Sequence, residues 1–328
     1  MLLEFVLLIV GFVILIKGAD LLVGGASSIA KKFKISSLAI GLTVVSFGTS
    51  APELLVNMMS ATKGYSDAAF GNVLGSNNFN LLLILGVAGI IFPLVVQRNT
   101  VQFEVPISIL ATIILFVLVN DAMLWGSASN DLSRFDAFVL LLVFGAFMYY
   151  VYRTMKTTAN FDEGTPIREY RTSLSWGMVL LGIAMLLGGG NLAVENAVLI
   201  AEQFGISHRI IGLTILAAGT SLPELATSAV AAFRRNTDIA IGNVIGSNIF
   251  NICLILGATG MFHPMPFNNE LNFDIYVVLG ASAALLIFMF TLSQRKLDRW
   301  EAIILFFGYI VYTLLVINLE GGGMQSAP

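Results

Sequence analysis

Two stretches of the chain, Ile40 to Gly86 and Ile211 to Gly257, are copies of one another: at an offset of 171 residues, 25 of 47 positions are identical without a gap. Similar composition alone would give roughly a tenth. The chain is therefore a duplication, and the content of each copy limits how the two can be joined. Near-continuous apolar segments of spanning length fall at Leu2 to Val23, Ser37 to Thr62, Ala68 to Ile91, Val105 to Trp125, Leu132 to Tyr152, Leu174 to Asn196, Arg209 to Phe233, Ile239 to Phe262, Ile275 to Leu292 and Ala302 to Ile317. That is five per copy. Five is odd, so the second copy sits upside down relative to the first, and inverted copies of this kind meet around a shared site near the bilayer midplane.

The expected fold is thus an all-α integral membrane protein of ten transmembrane helices. Residues 1–152 form the first repeat, with its motif at 40–86; 173–320 form the second, with its motif at 211–257. A mixed-charge cytoplasmic connector, 153–172, and a flexible tail, 321–328, complete the chain. Charged residues are only 11% of the sequence, against about a quarter in soluble domains. Of the Lys and Arg residues in loops, thirteen fall in the odd loops and three in the even ones, which places both termini outside. The first segment does not read as a cleavable signal, because Glu4 stands where a basic residue is expected. Lys17 and Asp20, three apart on helix 1, read as a local pair near its cytoplasmic end.

Against this apolar background the polar residues are conspicuous, and they lie at equivalent positions. "GTSAPE" carries Thr49, Ser50 and Glu53, and "GTSLPE" carries Thr220, Ser221 and Glu224; the following helices carry Asn72, Ser76, Asn77 and Asn80, then Asn243, Ser247, Asn248 and Asn251. A carboxylate at bilayer depth costs at least about 2.5–3.5 kcal/mol, so each glutamate needs a compensating partner. No basic residue lies at matching depth in helices 2, 3, 7 or 8. Pro52 and Pro223 remove a backbone donor just before each glutamate, which predicts broken helices there and frees carbonyls near Ser46, Phe47, Ala217 and Ala218. Helices 3 and 8, rich in glycine around their own clusters, are also expected to be broken. The sum is a cage of carboxylate, hydroxyl, amide and carbonyl oxygens with no His or Cys, suited to a hard cation such as Ca2+ or Na+. Two close carboxylates repel unless a divalent ion, two monovalent ions or protons balance them, and this is a physical basis for exchange.

These paired motifs, with "GNVLGSNNFN" and "GNVIGSNIFN", resemble the alpha-1 and alpha-2 repeats of the cation/Ca2+ exchanger superfamily, most closely its prokaryotic sodium/calcium exchanger branch. The resemblance implies an antiporter in a prokaryotic plasma membrane, usually exchanging three Na+ for one Ca2+, with helices 1 and 6 sliding past an eight-helix core. It implies that Glu53 and Glu224 are central bidentate ligands, that Thr49, Ser50, Thr220 and Ser221 add oxygens, and that Ser76 and Ser247 serve flanking Na+ sites. Ser46 and Ala217 would offer main-chain oxygens, with Asn80 and Asn251 at the middle. Some relatives, K+-dependent exchangers among them, carry Asp at the position of Asn251; this chain has Asn in both copies, which argues against K+ coupling.

A Ca2+/H+ exchanger remains an alternative reading, since protons also discharge carboxylates, and a cation channel is a more remote one. No nucleophile–base pair, phosphate loop or metal-hydrolase motif suggests an enzyme. The expected partners are Ca2+, Na+ and lipid, with no cofactor, nucleic acid or obligate protein partner.

Overall fold

The computed structural model describes residues 2–126, 129–155, 168–204, 217–290 and 295–322. Among these, eight helices are long and apolar enough to cross a membrane, or nine if one bent pair counts as a single span. In chain order the principal helices are α1 (Leu2–Phe33), α2 (Ser37–Thr49 plus Ala51–Thr62), α3 (Ser66–Ile91), α4 (Thr100–Val119), α5 (Arg134–Thr154), α6 (Thr172–Gln203), α7 (Leu222–Phe233), α8 (Thr237–Phe262), α9 (Asn269–Phe288) and α10 (Arg299–Gly322). α7 is a shorter apolar helix preceded by the turn Ala217–Gly219; the expected segment beginning at Arg209 starts outside the described residues, as does most of the connector.

α1 and α6 are 32 residues each and run past the expected stops at Val23 and Asn196. At about 1.5 Å per residue such a helix is longer than a hydrocarbon core of about 30 Å. The stop fails in α1 because Gly24, Gly25, Ala26, Ser27 and Ser28 are all buried, and their lack of bulk serves packing rather than ending the helix. The two helices run antiparallel with backbones in contact: Gly11 lies against Gly189 and Ala193, Gly18 against Gly182 and Leu186, and Gly25 against Ser175 and Val179. Small residues at such a crossing let helices approach where lipid provides no hydrophobic drive. Asp20 pairs with Arg234 of the α7–α8 turn, not with Lys17, and Ser27 Oγ accepts from Asn236 Nδ2 at 2.9 Å. Local spacing missed this because the partner lies 214 residues away.

α2 bends by 47° at Ser50, whose φ of −83° and ψ of 9° leave the helical register. Pro52 then opens the second piece, where its missing N–H is harmless. Ser221 takes the same conformation ahead of Pro223, with φ −91° and ψ 7°. α3 and α8 are not broken. Each runs 26 residues without interruption and absorbs the strain as a wide π-helical stretch, Phe79–Ile84 and Phe250–Leu256. Neither helix contains a proline, so nothing forces a full break.

These two helices form the centre of the molecule. The apolar window of α8 is 94% buried and that of α3 72%, against 22% for α5 and 17% for α10. Two short ribbons tie one half to the other: β1 (Leu94–Val95) pairs with β4 (Lys296–Leu297), and β2 (Asp131–Leu132) with β3 (Met265–Pro266). Leu94 and Met265 are equivalent repeat positions, so the two ribbons are counterparts.

Candidate functional site

Where the bend of α2 meets its counterpart before α7, nearly every polar contact occurs twice, once from each repeat. Ser50 Oγ donates to Glu224 Oε1 at 2.9 Å, and Ser221 Oγ donates to Glu53 Oε1 at 3.1 Å. The Ser50 and Ser247 hydroxyls are 3.0 Å apart, and those of Ser221 and Ser76 are 2.9 Å apart. Thr49 Oγ1 donates to Asn243 Oδ1 at 3.1 Å, and Thr220 Oγ1 to Asn72 Oδ1 at 3.3 Å. Each glutamate is thus held by the serine of the opposite repeat. The contacts cross between the two copies: the carboxylate directly after each proline is met by the serine that precedes the other proline.

Deeper in α3 and α8 the pattern continues. Asn80 Nδ2 donates to Asn248 Oδ1 at 2.9 Å, and Asn251 Nδ2 to Asn77 Oδ1 at 3.0 Å, while Asn77 Nδ2 reaches the carbonyl of Asn248 at 3.3 Å. These bonds fix the orientations of the Asn80 and Asn251 amides, whose nitrogens are committed and whose oxygens are left over. Four oxygens consequently lack a hydrogen-bond partner although their residues are each 1% exposed: Glu53 Oε2, Glu224 Oε2, Asn80 Oδ1 and Asn251 Oδ1. Among the described residues neither glutamate has a basic partner.

Buried acceptors are ordinarily satisfied, and an unpaired one costs about 1–3 kcal/mol, more when charged. Four unpaired oxygens, two of them from carboxylates, make this cluster strongly electronegative, and among the described residues no basic side chain neutralises it. Hard-cation chemistry fits this donor set; thiolate or imidazole chemistry does not.

Of the residues singled out from sequence, Glu53, Glu224, Ser50, Ser221, Ser76 and Ser247 form one contact set; Thr49 joins it through Asn243, whose Nδ2 reaches the Glu224 carbonyl, and Thr220 bonds Asn72 across the repeats. Asn80 and Asn251 bind across the repeats through Asn248 and Asn77. Ser46 departs from expectation: its carbonyl is not freed, since it accepts the Ser50 N–H at 2.9 Å and the Thr49 hydroxyl at 3.3 Å. In i to i−4 register the donor that Pro52 lacks belongs to Gly48, two residues further on. The Ser46 hydroxyl donates to the carbonyl of Gly41 at 2.7 Å. Ala217 begins the Ala217–Gly219 turn, one turn ahead of Ser221. Asn77, Asn248 and Asn57 were not among the predicted site residues. Asn77 and Asn248 could have been found, because both copies carry them between Ser and Asn of the cluster.

With that geometry in hand, comparison with known proteins is direct. The profile of the family described as "Sodium/calcium exchanger protein" matches residues 3–153 and 174–318. The chain is 38% identical to "Putative antiporter CaxA" of Alkalimonas amylolytica, over 97% of this chain and 100% of that protein. It is 31% identical to "Sodium/calcium exchanger MaX1" of Methanosarcina acetivorans, over 96% of this chain and 99% of the relative. Among solved structures, one of the sodium-calcium exchanger NCX_Mj, soaked with zero Na+ and Ca2+, superposes with a TM-score of 0.81 at 30% identity, covering 96% of this chain and 99% of that one. A match across both halves, relatives covered end to end and a shared fold lead to one conclusion: the chain belongs to the sodium/calcium exchanger protein family.

Proposed function

We propose that this protein is a Na+/Ca2+ antiporter working by alternating access, built as two inverted five-helix repeats, 1–152 and 173–320, joined by the connector 153–172. The observation that carries the reading is the set of four buried, unpartnered oxygens on Glu53, Glu224, Asn80 and Asn251. Glu53 and Glu224 bind the divalent cation between them, and the same two charges are balanced by Na+ when Ca2+ leaves. Thr49, Ser50, Thr220 and Ser221 complete the shell with hydroxyl or main-chain oxygens, Ser76 and Ser247 hold flanking Na+, and the main chain at Ala217 contributes at its edge, whereas the Ser46 carbonyl is already taken up by Ser50 and Thr49. The empty, doubly negative site is penalised in a low-dielectric interior, so the chain returns only when reloaded. Inward Na+ flow then expels Ca2+ from a prokaryotic cell, with both termini outside.

Three Na+ against one Ca2+ moves one net charge per cycle. In proteoliposomes with Na+ and Ca2+ gradients varied independently, the current should reverse at the potential set by that ratio. A neutral process overturns electrogenic coupling, and Ca2+ flux driven by a proton gradient without Na+ favours the Ca2+/H+ alternative.

The crossed serines give a graded prediction. Ser50→Ala removes the hydroxyl on Glu224 Oε1, and Ser221→Ala removes its counterpart on Glu53 Oε1. A hydrogen bond to a charged group is worth about 1.5–3 kcal/mol, so half-saturating Ca2+ should rise roughly tenfold or more in each variant. Flux assays at graded external Ca2+ measure it; a response in only one of the two variants would contradict the symmetric holding of the two glutamates.

A further inference from the structure

The two repeats are not equivalent around their glutamates. In the second copy, Asn243 Nδ2 donates to Ser228 Oγ at 3.0 Å and to the Glu224 carbonyl at 3.3 Å, so that corner is closed. The residues equivalent to Ser228 and Asn243 at the offset of 171 are Asn57 and Asn72. There the bond is missing. Asn57 is 0% exposed, yet neither its Oδ1 nor its Nδ2 has a partner, and Asn72 Nδ2 has none either. Asn57 lies one turn past Glu53 on the same helix, and Glu53 Oε2 is itself unpartnered.

Donor and acceptor chemistry decides what fits this corner. The Asn57 and Asn72 amide nitrogens offer N–H groups, which repel a cation. Glu53 repels an anion. Asn57 Oδ1 and Glu53 Oε2 need donors. A group that both accepts and donates can take the Asn72 N–H and give hydrogens to Asn57 Oδ1 and Glu53 Oε2, and buried water characteristically makes about three such bonds.

We propose that Asn57 and Asn72 form a water-holding subsite on the Glu53 side alone, so that a cation held by Glu53 keeps one water as a ligand while at Glu224 it keeps none. The inference rests on the cation-exchange reading above. Its consequence is an asymmetric shell: the hydrated side supplies one of the roughly 6–8 oxygens that Ca2+ takes, and replacing Asn57 weakens Ca2+ without touching either carboxylate.

Asn57→Ser tests it, because it recreates the serine–asparagine contact of the second copy, which gives Asn72 Nδ2 a protein acceptor and removes the amide that holds the water. Half-saturating Ca2+ in Na+-driven flux should rise about five- to tenfold, while the melting temperature in cation-free buffer holds or increases. A high-resolution structure of the wild-type protein with Ca2+ should place a water within hydrogen-bond distance of Asn57 Oδ1 and Asn72 Nδ2. Unchanged half-saturation in the variant, or a dry corner in that structure, overturns the proposal. Wild-type flux that requires Glu53 and Glu224 would leave the exchange reading standing in either case. Absence of such flux would sink that reading, with the water still readable in the structure.

Discussion

Glu224→Gln should abolish Na+-driven Ca2+ flux in proteoliposomes, and Glu53→Gln should do the same. The substitution is close to isosteric, so the crossed hydrogen bonds survive: a glutamine Oε1 at 224 still accepts from Ser50 Oγ, and one at 53 from Ser221 Oγ. The change falls on the other atom. Oε2 of each glutamate is the buried oxygen without a partner, and glutamine puts an NH2 there, aimed at the cation. Removing one member of a buried charge pair costs about 3–5 kcal/mol, so cation affinity should drop on the order of a hundredfold to a thousandfold. The fold should tolerate it, since the change also removes an uncompensated buried charge. The two effects separate experimentally: in cation-free buffer the melting temperature is kept or raised, while the increase that Ca2+ confers on the wild type disappears. Robust flux in either variant would remove the glutamates from the centre of the site.

Much of this arrangement was legible in the sequence because the duplication supplies an internal control. A glycine, serine or threonine in a membrane helix is ordinarily a packing residue; the same cluster repeated around two intramembrane glutamates is not. Position within the cluster was also readable, since Pro52 and Pro223 mark the bends. The crossing was not. That Ser50 serves Glu224 and not Glu53, three residues away, depends on how two bends face each other, and no local spacing carries that information. Nor could sequence separate a broken helix from a widened one. A break was expected in α3 and α8 as in α2 and α7, but without proline the backbone keeps its hydrogen bonds by adding a residue to a turn. The Asp20–Arg234 pair was missed for a related reason: an i, i+3 neighbour was available in Lys17, and tertiary structure offered a different one.

Asn57 illustrates the opposite case, a difference visible in the sequence whose meaning needed the structure. In the alignment of the copies it is one of many non-identical positions, Asn against Ser228. Only the closed bond from Asn243 to Ser228 and the three unpaired atoms on the other side turn that difference into chemistry.

Gly182→Ala should be nearly as damaging as loss of a glutamate, although Gly182 lies on α6 and belongs to none of the site contacts described above. A Cβ built there falls 2.7 Å from the Leu22 nitrogen and 2.8 Å from the Gly18 carbonyl oxygen. Both are backbone atoms of α1, which no rotamer change can move aside. Gly189 repeats the situation 2.7 Å from the Leu15 nitrogen, and Gly11 does so from α1, 2.7 Å from the Ala193 nitrogen. The alanine methyl therefore forces the two long helices apart by several tenths of an ångström at one point of a continuous contact. Overpacking of this kind costs about 1–3 kcal/mol, and here it roughens an interface made of bare backbone. If α1 and α6 move past the core as one unit, as the family resemblance implies, that pair must stay rigid, and flux should fall more than tenfold with a lower melting temperature. Equilibrium Ca2+ binding should change little, because the proposed site lies on α2, α3, α7 and α8. Gly188, exposed on the same helix, meets no atom within 4 Å, so Gly188→Ala should behave as wild type in both assays. Equal behaviour of the two alanine variants would show that close backbone packing of α1 on α6 is not needed for transport.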